Sequence, residues 1–371
     1  MNPHYEALGP IVNQRLESLV QNPKKLKKLK SADFALFTCY WWPMGDLERC
    51  SIAAYLVIWL FLWDDEIDES SGSLTNDMEN AQAYRARTSE FVEQCLGLKD
   101  HNLDGQNLHP FISSFEPIGA ALRAAYTTAQ AQNFMDEMLI FMNASEAEQR
   151  IRLDGRVMDL DSYWKVRLGT SAVGVCSAII EYVTQAMIPE DIAKSSPMRA
   201  IYHETNIIVS IVNDLLSLKK ELHKDGMDSL IPLTVATGTS LQGAIDGAVA
   251  DIDSSIQRFD QAAVELLCEA DRQQPPWRSL FQYIYSFTQW KSPMRNQNTK
   301  DALEAFLTTS RQNCTGNLAW SLSTARYGLK DCARDANDSM IFGLVHGAEV
   351  SQRTVQALEG SFAGTLGLTP Q

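Results

Sequence analysis

The 371-residue sequence predicts an all-α protein, and three observations carry that prediction. Apolar residues recur at helical spacing over long stretches. Two of those stretches run directly into groups of oxygen-bearing side chains. Segments with the strict alternation of a half-buried strand do not appear, nor do internal repeats.

The first thirty residues hold a short amphipathic piece (Ile11, Val12, Leu16, Leu19, Val20), then Asn22-Pro23 and the lysine run Lys24, Lys25, Lys27, Lys28, Lys30. The run reads as a solvated helix face, and residues 1–30 as a flexible extension. Phe34 to Trp42 places aromatic rings three or four apart and stops at Pro43, which suits a core helix. Phe37 or Tyr40 there is a candidate to face a pocket.

Cys50 to Trp63 is almost continuously apolar and reads as a buried helix. It ends in Asp64, Asp65, Glu66, Ile67, Asp68 and Glu69. Asp64 and Asp68 lie one above the other on a helix. Five acidic groups at the end of a buried helix repel one another and resist desolvation, a conflict that a hard cation such as magnesium removes. Taken alone, such a cluster is more often a solvated helix end.

Ser70 to Ser73 is a loop, and Met78–Leu96 is helical. Lys99–His109 is a surface loop, and Phe111–Asn143 is a long helical region with Pro117 as a candidate break. In Tyr163–Tyr182, Arg167 sits among Trp164, Val166 and Leu168 ahead of small residues; a buried arginine asks for an anionic partner, Asp159 or Asp161 being the nearest in sequence. A second buried helix, Ile207–Val212, leads into Asn213, Asp214, Ser217, Lys220 and Glu221. Asn213, Ser217 and Glu221 recur at i, i+4 and i+8, one stripe of oxygen ligands. His223–Ser229 reads as a polar flap, Ala244–Ala270 as a helix, Leu280–Trp290 as an aromatic helix and Ala302–Arg311 as a short one. Leu318–Tyr327 lies near a helix end, and residues 355–371 form a flexible tail.

The pattern resembles the class I terpene synthases, most closely the single-domain fungal sesquiterpene enzymes, over roughly Phe37 to Tyr327. Asp64-Asp65-x-x-Asp68 matches the family's aspartate-rich motif. Asn213-Asp214-x-x-Ser217-x-x-Lys220-Glu221 matches its second magnesium motif, and Arg326-Tyr327 its C-terminal pair. Arg167 lies at the distance before Asn213 expected of the family's diphosphate-sensing arginine. The resemblance implies one helical-bundle domain over 1–371 around a central apolar cavity. It implies three magnesium ions held by Asp64, Asp65, Asp68, Asn213, Ser217 and Glu221, with Arg167, Lys220, Arg326 and Tyr327 on the diphosphate. It also implies a backbone carbonyl from a helix break at Thr170 or Ser171, and Phe61 and Trp320 in the pocket wall. The implied reaction is cyclisation of farnesyl diphosphate; geranylgeranyl diphosphate is the alternative substrate, and prenyl-chain elongation the rival chemistry.

Composition bounds the rest. The length suits one large domain. A net charge of −14 argues against nucleic-acid binding and leaves any diphosphate to be held by local cations. Seven scattered cysteines without a close pair fit reduced core thiols. With no apolar leader, and with Cys50–Trp63 too short to span a bilayer, a cytoplasmic enzyme without a membrane span is expected. Related bundles often pair, so a homodimer is compatible with this reading.

Overall fold

The computed structural model describes residues 1–69, 72–100, 108–222, 228–273, 299–329, 333–334 and 340–341, without the side chains of 220–222, 271–273 and the last two pairs. Its helices are, in order, α1 (Tyr5–Leu19), α2 (Pro23–Ser31), α3 (Phe34–Trp41), α4 (Leu47–Asp68), α5 (Met78–Cys95), α6 (Pro110–Ser113), α7 (Glu116–Ala125) and α8 (Thr128–Leu153). Then come α9 (Leu160–Thr170), α10 (Val173–Ala178), α11 (Ile180–Thr184), α12 (Glu190–Ala193), α13 (Ser196–Leu222), α14 (Leu230–Ala236), α15 (Leu241–Gln273) and α16 (Thr299–Ser323). The strands among the described residues are the antiparallel pair Ala333–Arg334 and Met340–Ile341.

Helix α4 is apolar on every side, so it must be buried on every side. It starts at Asp46, whose carboxylate accepts the Arg49 N–H at 2.8 Å, and runs through the bundle against α1, α3, α7, α8 and α11. Trp59 and Trp63 stack within it at 6.0 Å, and Trp63 meets Tyr84 of α5 and Phe141 of α8. On the far side α13 packs against α9, α10, α15 and α16, and α16 against α3. Gly316 permits that last approach, because a Cβ there would stand 2.6 Å from the Tyr40 carbonyl oxygen.

Three expectations change. Residues 1–30 are not a loose extension: Leu8, Val12, Leu16, Val20 and Leu29 are core residues, and the buried Asn2 amide donates to Trp42 O and Gly45 O. The lysines of α2 are not simply solvated, since Lys25 pairs with Asp65 at 3.3 Å and Lys28 with Glu69 at 3.2 Å. Charge patterning reveals a polar face but not which acids a neighbouring helix turns toward it. The Ala302–Arg311 helix is part of the longer α16.

The expected break near Pro117 falls at Ser114–Phe115, between α6 and α7, and Pro117 itself occupies the first turn of α7, where its missing N–H costs nothing. A second break precedes α8, which opens on a Thr127–Gln130 capping box. One stretch, Leu160–Thr184, is long and apolar enough to cross a membrane by length and composition, but 72% of its window is buried, as in a core segment. The expected aromatic helix Leu280–Trp290 and the tail 355–371 lie outside the described residues.

Candidate active site

A cavity of about 180 Å³ lies between α3, α4, α8, the α9–α10 junction, α13 and α16. Along α4 its wall reads Val57, Leu60, Phe61, Asp64; along α13 it reads Val209, Ser210, Asn213. Each helix thus enters the wall apolar and leaves it polar, at the spacing of a single helical face. Arg167, Thr170, Ser171, Trp320, Arg326 and Tyr327 complete the set of expected site residues on this wall. Phe37 lines it too, whereas Tyr40 does not.

The two far-separated motifs therefore meet. Asn213 donates from Nδ2 to the Tyr327 hydroxyl at 2.7 Å and accepts from Arg167 Nη2 at 2.9 Å. Arg167 also donates to Asp214 Oδ1 from Nε at 3.1 Å and from Nη2 at 2.8 Å. The carboxylate that answers the buried arginine is thus Asp214, not Asp159 or Asp161. Asp159 caps α9 instead, accepting the Ser162 N–H at 2.7 Å.

The acidic motif is divided by its position on α4. Asp64 alone of the three aspartates lines the cavity. Burial, with negative charge from Asp68, Glu148 and Asp65, holds its carboxyl well above the usual range, and Arg326 opposes the rise. Asp65 turns toward Lys25 on α2. Asp68 stands at the rim, 34% exposed and 3.4 Å from Arg152 Nη2. Burial raises it, while Arg152 and Arg85 pull it down. Ser217 is buried one turn beyond Asn213; the side chains of Lys220 and Glu221 lie outside the described residues.

No group of three His, Cys, Asp or Glu side chains placed to hold a metal occurs among the described residues. The second motif supplies an amide and a hydroxyl in place of carboxylates, and its glutamate is not described. Even so, the donor set fits a hard cation: a half-buried carboxylate whose ionisation its own neighbours oppose, facing an amide oxygen across one cavity. A place for an anion is also evident. Arg326 lies over the Phe61 ring at 4.7 Å, and its buried Nε has no hydrogen-bond partner among the described residues.

The helix break beyond Arg167 is at Ala172, which takes a left-handed φ of 55°. Ser171 donates to Asn206 Oδ1 at 2.7 Å, and Asn206 Nδ2 donates to Leu168 O at 2.6 Å, fixing the chain on both sides of the turn. Trp320 is fully buried, donating its indole N–H to Ala32 O at 2.8 Å and meeting Phe37 edge-on.

Some wall and rim residues escaped the sequence reading. Phe141 belongs to a Met/Phe stripe that reads as ordinary core, and Ser210 lies on the Asn213 face of α13 without a motif to mark it. Glu148 of α8 sits among Asp68, Arg167, Arg152 and Asp228, where burial and then Asp68 push it up to about 8. A single glutamate in the polar C-terminal part of α8 carries no sequence signal of such a place.

An all-helical bundle around an apolar cavity is the class I terpenoid synthase fold, and solved structures bear this out. A cucumene synthase variant superposes with a TM-score of 0.68 at 17% identity, covering 88% of this chain and 97% of that one. Hedycaryol synthase, in complex with HEPES, gives 0.67 at 19%, covering 87% and 94%. In sequence, residues 55–258 match the family described as terpene synthase family 2, C-terminal metal binding. Sesquiterpene cyclase hepA of Aspergillus oryzae is 34% identical over 91% of this chain and 87% of its own length. Terpene cyclase braA of Annulohypoxylon truncatum is 26% identical over 83% and 76%. The chain belongs to the terpene synthase family and is an enzyme of its lyase type.

Proposed function

We propose that the protein is a magnesium-dependent sesquiterpene cyclase acting on farnesyl diphosphate, with residues 1–371 forming one catalytic domain. The observation that carries this reading is the meeting of Asp64, Asn213, Arg167, Arg326 and Tyr327 around one cavity whose lining also includes Val57, Leu60, Phe61 and Trp320. Asp64, with Asp65 or Asp68 after rearrangement at the rim, and Asn213, Ser217 and Glu221 would hold three magnesium ions. Bound magnesium would neutralise the diphosphate and stabilise it as a leaving group.

The chain's own residues do the rest. Arg167, Lys220, Arg326 and Tyr327 donate to diphosphate oxygens, so the negative charge that develops is met by three cations and a hydroxyl donor. The C1–O bond breaks, its electron pair leaves with diphosphate, and an allylic cation remains. As Arg326 turns to the anion it uncovers the Phe61 ring, whose face can stabilise a passing cation by ~1–2 kcal/mol. Trp320 and Phe37 shape the wall and keep water away until a proton is lost or a water molecule is added.

The test is gas chromatography of extracts after incubation with magnesium and farnesyl diphosphate. A cyclic C15 hydrocarbon or alcohol, with diphosphate release lost on chelation, is the expected result. Cyclic C20 product formed only from geranylgeranyl diphosphate would move the assignment to diterpenes. Longer diphosphates formed when isopentenyl diphosphate is added would replace it with chain elongation.

A further inference from the structure

Asp214 is the second residue of the metal-binding motif, yet it does not line the cavity. It is 2% exposed, and its two oxygens are used differently. Oδ2 accepts the Tyr163 hydroxyl and the Leu230 backbone N–H, the latter at 2.9 Å, so it is committed to neutral donors. Among the described residues Oδ1 accepts from Arg167 alone, through Nε and Nη2. The same Nη2 reaches Asn213 Oδ1, an oxygen expected to face metal. A guanidinium hydrogen and a divalent cation on one amide oxygen repel each other, so occupancy of Asn213 by metal works against the arginine's present position.

A buried carboxylate that relied on its arginine alone could not release it without being stranded. Asp214 can, because one oxygen keeps two donors from α9 and α14 whether or not Arg167 stays. We propose that Asp214 is a positioning residue that holds Arg167 across Asn213 and yields it to the metal–diphosphate cluster, its own charge remaining satisfied by Tyr163 and the Leu230 amide. This rests on the reading of Arg167 as a diphosphate-binding residue. Tyr163, which is absent from the cavity wall but stands beside Arg167 as well as Asp214, then sets how readily the arginine is released.

The experiment is a double-mutant cycle on inhibition by inorganic diphosphate at saturating magnesium. Tyr163→Phe leaves Asp214 leaning harder on Arg167, so the inhibition constant rises three- to tenfold in the native background. With Arg167→Gln present, the same change alters it by less than twofold. Equal effects in both backgrounds, no effect, or tighter binding would overturn the proposal while leaving the role of Arg167 intact. If Arg167→Gln by itself does not weaken diphosphate, both readings fall. A second measurement uses the unmodified protein, so it does not depend on the variant folding. The Arg167 Nε–H resonance, assigned by its loss in Arg167→Gln, should shift on addition of magnesium and inorganic diphosphate; a resonance unmoved at saturation overturns the hand-off.

Discussion

Replacing Asp64 by Asn should make the metal-free protein more stable and the enzyme inactive. In the folded chain Asp64 faces negative charge from Asp68, Glu148 and Asp65, with Arg326 as the opposing cation. Taking ~6 Å for the Asp64–Asp68 pair, as helical neighbours four apart stand, and an effective dielectric of about 20, their repulsion is of order 3 kcal/mol. Exposure of Asp68 and the Arg326 attraction reduce this, so a net gain of ~1–2 kcal/mol is expected. Unfolding entropy of ~2 cal/mol/K per residue over a chain of this size makes that a rise of roughly 1–3 °C in Tm. Scanning calorimetry in chelator measures the rise. Diphosphate release should fall by about a hundredfold or more, the scale of losing a preorganised electrostatic contact. The added stability that magnesium and inorganic diphosphate together give the native protein should vanish in the variant. A lower metal-free Tm with activity retained would refute the claim that Asp64 is a destabilising carboxylate awaiting a cation.

Other outcomes follow from the same structure. Burial pushes Glu137, beside Gly174, up to about 7, so its ionisation weakens the fold as pH rises from the ordinary carboxylate value toward 7. Glu137→Gln should therefore match the native protein in denaturant melts near pH 4 and exceed it by up to ~3 kcal/mol above pH 7, at 1.36 kcal/mol per pKa unit; a constant difference across pH would exclude this cause. Gly316→Ala should gain up to ~1 kcal/mol of helix propensity yet lose more by forcing α16 off the Tyr40 carbonyl, for a net loss of ~1–2 kcal/mol. The shift passes along α16 to Trp320, so the product ratio on gas chromatography should change as well; a more stable variant with an unchanged profile would show that the contact is soft.

Much of this arrangement is legible in one dimension. The all-round apolarity of Cys50–Trp63 dictates a central helix, because no other placement hides every face. The period of Asn213, Ser217 and Glu221 dictates a shared stripe, because i, i+4 and i+8 coincide on any α-helix. Interactions local in sequence determine both. What the tertiary structure alone decided is which partner each charged group meets: Lys25 with Asp65, Arg167 with Asp214, Arg326 over Phe61, and Glu148 among the rim charges. These pairings depend on how helices distant in the chain rotate and approach, which packing of the whole core sets and no local spacing encodes. The same holds for residues 1–30, whose sparse apolar residues become core only because α3 and α4 offer a surface to cover.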